Sequence, residues 1–104
     1  MLNVSKIDNN YVVSFNDEVS RLNTLISGEV EQVLSDLISN PNSILILDLE
    51  GINFIESTGF NTLKSLINSA KENKTKFQLK NINDEVMELI ELVDLSDVIM
   101  LIEN

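Results

Sequence analysis

The beginning of the chain alternates between apolar and polar residues in two short segments. The segments "LNVSKI" and "YVVSF" are rich in β-branched or aromatic residues, which favour strands. Between them stands Asp8-Asn9-Asn10, a sequence that suits a hairpin turn. We therefore predict that an antiparallel pair of strands opens the fold.

The spacing of apolar residues then changes to that of a helix, and predicts a first amphipathic helix from about Asn23 to Ser39. Its apolar positions are Val30, Val33, Leu34, Leu37 and Ile38. Asn40-Pro41 ends the pattern, because the residue before a proline avoids helical backbone angles. Gly28 lowers the helix propensity near the start of this segment.

The middle of the chain predicts a strand followed by a second helix. "SILILDLEG" is continuously aliphatic from Ile44 to Leu47, which is typical of a central strand covered on both faces. The second helix is predicted from about Thr58 to Glu72, with Lys64 and Lys71 on its exposed face. Its apolar stripe consists of Phe60, Leu63, Ile67 and Ala70, with Leu66 beside it.

The last part of the chain predicts a strand "FQLKN", a third helix "NDEVMELIELV" with Asn83 as its N-cap, and a final strand "VIMLI". The inward residues of the third helix are expected to be Val86, Leu89, Ile90 and Val93. Helical crossovers return the chain in the same direction, so the later strands should be parallel. The predicted fold is a single α/β domain of residues 1–104, with ββαβαβαβ order, a mixed sheet, an N-terminal hairpin and amphipathic crossover helices.

Composition narrows the classes of function. The 104 residues carry 17 acidic and 7 basic side chains, a net charge of -10, which repels nucleic acid and anionic membranes. The charge suits either a basic protein surface as partner or simply solubility. There is no cysteine and no histidine, which removes the thiol nucleophile and the usual metal ligand and proton shuttle. No apolar run approaches the ~18 residues of a membrane span, and "MLNVSKIDNN" has no signal-peptide pattern. We expect a cytoplasmic protein with neither a nucleic-acid nor a membrane partner.

The loop "EGINFIESTG" joins the central strand to the second helix, at the edge where open α/β folds expose their working loops. Ser57 at the helix start is open to two interpretations. It is either an N-cap, with Glu56 favourable near the helix dipole, or a hydroxyl whose phosphate the helix N-terminus would stabilise. Gly59 either leaves room for another protein or packs tightly against the sheet. The apolar residues Ile52, Phe54, Ile55 and Phe60 either face the core or form part of a docking surface.

An enzymatic interpretation uses the carboxylates of Asp48, Glu50 and Glu56, as a catalytic pair or as magnesium ligands. No base, nucleophile or Gly-rich phosphate loop accompanies them, and one short domain offers little cleft. We expect Asp48 and Glu50 to lie at a strand end in solvent. The sequence therefore predicts that the protein is not an enzyme.

The segment "LDLEGINFIESTGFNTL" resembles the signature of anti-sigma factor antagonists of the STAS family. In that family an aliphatic-Asp-aliphatic step ends a strand, and Asp-Ser-Ser/Thr-Gly with an apolar residue opens a helix. The motif stands here as Glu56-Ser57-Thr58-Gly59-Phe60. The tail "VMELIELVDLSDVIMLIEN" resembles the last helix, turn and strand of the family, so the likeness covers most of the chain.

The resemblance implies a domain that binds an anti-sigma factor with serine kinase activity, thereby freeing a sigma factor, until phosphorylation ends the binding. The phosphorylated residue falls on Ser57, with Thr58 as second choice. The kinase supplies ATP and magnesium and a separate phosphatase restores the active form, so this chain needs no cofactor. We expect a monomer or a weak dimer. The residues that the resemblance assigns to partner binding are Glu56, Ser57, Thr58, Gly59, Phe60, Ser20 and Phe54.

Three departures from the family pattern leave an alternative open. Glu56 stands where the family favours aspartate, "DEVS" has Asp17 for a glycine and Ser20 for an aspartate, and Asp94 replaces a common glycine. The alternative is a STAS interaction module that is not phosphorylated and scaffolds a signalling complex. In that case Glu56-Ser57 serves only as a helix cap.

Overall fold

The computed structural model describes residues 2–92. In chain order the elements are β1 (Leu2–Ile7), β2 (Asn10–Phe15), β3 (Arg21–Leu22), α1 (Thr24–Ile38), β4 (Ile44–Asp48), β5 (Phe54–Ile55), α2 (Ser57–Asn73), β6 (Lys76–Lys80) and α3 (Asp84–Leu92). The predicted strand "VIMLI", the inward position of Val93 and the turn at Asp94 lie outside the described residues.

The main sheet has four strands in the order β1-β2-β4-β6. β1 and β2 form the predicted antiparallel hairpin, which turns at Asp8 and Asn9, with Asp8 in the left-handed region at φ 56°. β4 lies between β2 and β6 and is parallel to both, because a helix connects each parallel strand to the next. The predicted mixed α/β sheet is confirmed.

Two strands of the fold were not predicted. β3 and β5 have two residues each and pair in parallel as a separate sheet, with Arg21 opposite Phe54 and Leu22 opposite Ile55. Two residues are too few to show an alternating pattern, so no periodicity predicts these strands. Within residues 2–92 the element order is therefore βββαββαβα.

The core lies between one face of the main sheet and the helices. Leu45 and Leu47 of β4 are fully buried, whereas Ile44 and Ile46 on the opposite face are only half-buried. The prediction that β4 is covered on both faces is therefore wrong. An aliphatic run indicates a buried strand, but the direction of the crossovers decides which face the helices cover. Residues that form the core include Val13, Phe15, Leu34, Ile38, Leu63, Leu66, Phe77, Leu79, Val86 and Ile90.

Side-chain caps fix two of the helix starts. The Asn23 Oδ1 accepts a hydrogen bond from the Ile26 N–H at 3.0 Å at the start of α1. At the start of α3, the Asn83 Oδ1 accepts one from the Val86 N–H at 2.9 Å, which confirms the predicted N-cap. α2 ends at Asn73, and the left-handed conformation of the C-cap residue Lys74 stops the helix.

Candidate functional site

The loop after β4 is fastened to the segment that leads into α3. The Asp48 Oδ1 accepts hydrogen bonds from the Glu50 N–H at 2.9 Å and from the Asn81 Nδ2 at 3.0 Å. The Asn83 Nδ2 donates to the Ile52 carbonyl oxygen at 3.0 Å. Asp48 therefore has a structural role at the strand end, where it is half-buried, and Glu50 is exposed. Residues 2–92 contain no group of three or more acidic side chains placed to hold a metal ion.

β3 places the "DEVS" segment beside the segment that leads to Ser57. The Asn53 N–H donates to the Ser20 carbonyl oxygen at 2.9 Å, and the Glu56 N–H donates to the Leu22 carbonyl oxygen at 3.0 Å. Ser20 is exposed and Phe54 is half-buried. The tertiary structure thus brings together two of the sequence segments that were assigned to partner binding.

α2 begins at Ser57, and the N-cap residue is Glu56. The Glu56 backbone is extended, at φ -78° and ψ 168°, and its side chain makes no capping hydrogen bond. The interpretation of Ser57 as the N-cap is therefore wrong. The Ser57 side chain is exposed, and its hydroxyl has no hydrogen-bond partner among residues 2–92. It is a free hydroxyl group at the positive end of a helix.

Thr58 is less accessible than Ser57. Its side chain is half-buried, and its Oγ1 lies 3.4 Å from the Oγ1 of Thr24, the first residue of α1. The N-termini of α1 and α2 therefore meet at these two threonines. Of the two hydroxyls considered for phosphorylation, Ser57 is the one that is freely presented.

Gly59 and Phe60, which the resemblance assigned to partner binding, are both buried. A Cβ atom on Gly59 would lie 2.7 Å from the Ile55 Cγ2 and 3.1 Å from the Leu22 Cβ. Gly59 is thus a close-packing position between α2 and the small β3–β5 sheet. Gly59 therefore supports the surface from beneath, whereas Phe60, although buried, lines the groove beside Ser57.

A groove of about 380 Å³ opens beside Ser57, and we call it the Ser57 groove. The residues that line it are Phe54, Ile55, Glu56, Ser57, Thr58, Phe60 and Leu89. Leu89 belongs to α3 and is half-buried. Its helical spacing predicted an inward residue but gave no sign that α3 lies next to Ser57, because that contact is long-range.

The sequence matches the STAS domain profile over residues 1–104. The chain belongs to the STAS family. Its STAS fold is shared with a STAS-domain anti-sigma-factor antagonist protein from Planctomyces limnophilus, with a TM-score of 0.81, 19% identity, and coverage of 93% of this chain and 85% of that chain. The predicted family is confirmed.

Two further solved structures share the STAS fold. The Bacillus cell fate determinant SpoIIAA in its phosphorylated form has a TM-score of 0.71 and 11% identity, covering 99% of this chain and 89% of that chain. A sulfate transporter family protein from Wolinella succinogenes has a TM-score of 0.77 and 15% identity, covering 92% and 77%. No curated protein sequence matches the chain significantly. In the described part of the STAS domain, no helix is long and apolar enough to cross a membrane.

Proposed function

We propose that this STAS domain is an anti-sigma factor antagonist whose binding is switched by phosphorylation of Ser57. Unmodified protein binds an anti-sigma factor with serine kinase activity and so frees a sigma factor; phosphorylation by that kinase ends the binding. The observation that carries the proposal is the exposed Ser57 hydroxyl, without a hydrogen bond to residues 2–92, at the first residue of α2. The likeness of the fold to a STAS-domain anti-sigma-factor antagonist protein and to a cell fate determinant in its phosphorylated form supports it.

The proposed modification is a phosphoryl transfer from ATP bound to the kinase. The Ser57 Oγ attacks the γ-phosphorus, the bond to the β–γ bridging oxygen breaks, ADP leaves, and the hydroxyl proton passes to a base of the kinase or to water. The kinase provides ATP and magnesium, so this chain contributes only the hydroxyl and its position. The proposal assigns the chain no catalytic activity and no cofactor. It places the protein in the cytoplasm, where a separate phosphatase restores the unmodified form.

The surroundings of Ser57 explain how a phosphate could be accommodated and still prevent binding. The first intrahelical bond of α2 runs from the Phe60 N–H to the Glu56 carbonyl oxygen at 3.2 Å, so the preceding N–H groups have no acceptor within the helix and favour an anion. The phosphate would add about -1.5 to -2 charges on the rim of an apolar groove. A docked partner would have to desolvate that group, which is unfavourable.

The test is incubation of the protein with the purified anti-sigma factor kinase of the same organism, ATP and magnesium, followed by intact-mass measurement. Wild type should gain one phosphate and Ser57→Ala none. Ser65→Ala is the matched control, because Ser65 is also an exposed serine of α2, and it should behave as wild type. Thr58→Ala tests the second choice. Phosphate uptake that survives Ser57→Ala would refute the assignment.

The alternative function is a STAS module that scaffolds a signalling complex without being phosphorylated. It is favoured by Glu56 in the place of the family's aspartate, and by the likeness of the fold to a sulfate transporter family protein. Affinity for the partner discriminates the two functions. If the protein is a phosphorylation switch, Ser57→Asp should greatly weaken its binding to the partner. If the protein is a scaffold, Ser57→Asp should leave that binding unchanged.

A further inference from the structure

The Ser57 groove has an apolar interior with one wall provided by α3. Its apolar lining consists of Phe54, Ile55, Phe60 and Leu89, and Glu56 and Ser57 lie among the residues around them. Leu89 is half-buried, so part of its surface remains available to a partner. Further along α3, Leu92 is 80% exposed and lines a second depression together with Glu88 and Glu91. Exposed apolar side chains thus continue from the groove along α3.

Every charged residue exposed on α3 is acidic. Its exposed charged residues are Asp84, Glu85, Glu88 and Glu91, and residues 84–92 contain no lysine or arginine. None of these four carboxylates forms a salt bridge with residues 2–92. Glu85, Glu88 and Glu91 follow one another at intervals of three residues, a spacing at which like charges destabilise a helix. The negative charge of these α3 carboxylates is therefore not neutralised by salt bridges within residues 2–92.

The lysines near α2 do not neutralise the groove. Lys71 lies in the last turn of α2, and Lys74 and Lys76 follow its end, so all three are about 20 Å or more from Ser57 at the helical rise of 1.5 Å per residue. The nearer Lys64 is exposed on α2, about 10 Å along the helix from Ser57. Arg21 of β3 lies over Phe54, one of the residues that line the groove, with its guanidinium carbon 4.7 Å from the centre of the Phe54 ring. The α3 side of the groove therefore presents negative charge next to an apolar interior.

We propose that the Ser57 groove and α3 together form one docking surface for a basic surface of the anti-sigma factor kinase. An apolar side chain of the kinase enters the groove, and lysine or arginine side chains beside it pair with Glu88 and Glu91. The identity of the partner rests on the proposed function above. Charge complementarity favours a basic partner at this surface. A second copy of this chain, which has a net charge of -10, would instead bring two acidic helices together.

This surface also specifies how phosphorylation would act. A basic kinase surface would attract a phosphate at long range, so the loss of binding must come from the bulk and hydration of the phosphate beside the apolar groove. Added salt screens charge repulsion but does not remove a hydrated group. Binding of the Ser57-phosphorylated protein should therefore remain weak at high salt.

The experiment measures the affinity of the full chain for the purified kinase by isothermal titration calorimetry, at low and high salt. The double variant Glu88→Lys/Glu91→Lys should weaken binding about tenfold or more at low salt, and the loss should shrink at high salt. The matched control is Glu31→Lys/Glu72→Lys, which makes the same change in net charge at exposed positions of α1 and α2. It should change the affinity less than about twofold. The α3 variant should not unfold at a lower temperature, because Glu88→Lys turns the like-charge pairs with Asp84 and Glu85 into opposite-charge pairs, while positions 88 and 91 remain alike in charge.

Four other outcomes would contradict the proposed docking surface or the proposed function. Equal losses of affinity in both double variants would mean that only net charge matters. An unchanged affinity in the α3 variant would exclude α3 from the interface. Either result overturns this inference and does not test whether Ser57 is phosphorylated. A wild-type dimer in solution that the α3 variant dissociates would show that the groove joins two copies instead. A wild-type protein that does not bind the kinase at all would overturn the proposed function, and this inference with it.

Discussion

Replacement of Gly59 by alanine is expected to destabilise the fold, although the same exchange inside most helices is stabilising. Gly59 is the third residue of α2 and is buried. A Cβ atom there would lie 2.7 Å from the Ile55 Cγ2, 3.1 Å from the Leu22 Cβ and 3.2 Å from the Leu22 carbonyl oxygen. The favourable distance between two carbon atoms is about 3.5–4.0 Å, so the new methyl group overlaps its neighbours.

The magnitude follows from two opposing contributions. Alanine in place of glycine inside a helix stabilises by about 0.5–1 kcal/mol, whereas overpacking of a filled core costs about 1–3 kcal/mol. Relief by movement is restricted here, because Ile55 is β-branched and 2% exposed, and one Leu22 contact is to its backbone. The overpacking cost should therefore lie in the upper half of its range, about 2–3 kcal/mol. After subtraction of the helix gain, we expect the free energy of unfolding to fall by about 1–2.5 kcal/mol.

Urea denaturation followed by circular dichroism measures this loss, and Gly28→Ala is the matched control. Gly28 lies in α1, and a Cβ atom there would have nothing within 4 Å. That variant should be more stable than wild type by about 0.5–1 kcal/mol. The two exchanges are thus predicted to have opposite signs. Equal stabilisation by both would refute the close contact between α2 and the β3–β5 sheet.

Three further predictions concern the helix starts beside the groove. Glu56→Asp should raise the free energy of unfolding by about 0.5–1 kcal/mol, because aspartate at the N-cap accepts a backbone N–H and Glu56 makes no such bond; an unchanged thermal midpoint would contradict this. Asn83→Ala should lower the free energy of unfolding by about 1–2 kcal/mol, because it removes the hydrogen bonds to the Val86 N–H and the Ile52 carbonyl oxygen. Asn83→Asp keeps only the capping bond and should lose less stability in the same urea titration. Ser57→Ala should change the free energy of unfolding by less than about 0.5 kcal/mol, since the exposed Ser57 hydroxyl has no hydrogen-bond partner in residues 2–92. A loss of about 1 kcal/mol, as for an N-cap residue, would mean that the hydroxyl accepts a hydrogen bond.

The sequence by itself determined the elements whose signals are local. Apolar residues at helical spacing set the buried faces of the helices, and Asn83 marked the start of α3 through its own capping bond. The family motif located Ser57 at a helix start, where the structure has it as the first residue of α2. Such features depend on residues a few positions apart, whose geometry the helix itself fixes.

Only the tertiary structure decided which distant segments meet. The pairing of β3 with β5, the contact of Gly59 with Leu22 and the position of Leu89 beside Ser57 join residues that are more than 30 positions apart. The half-buried outer face of β4 is likewise a result of where the helices pack. Hydrophobic burial is non-directional, so a sequence pattern can predict that a residue is buried. It does not predict which residues pack against it, because that depends on the packing of the whole chain.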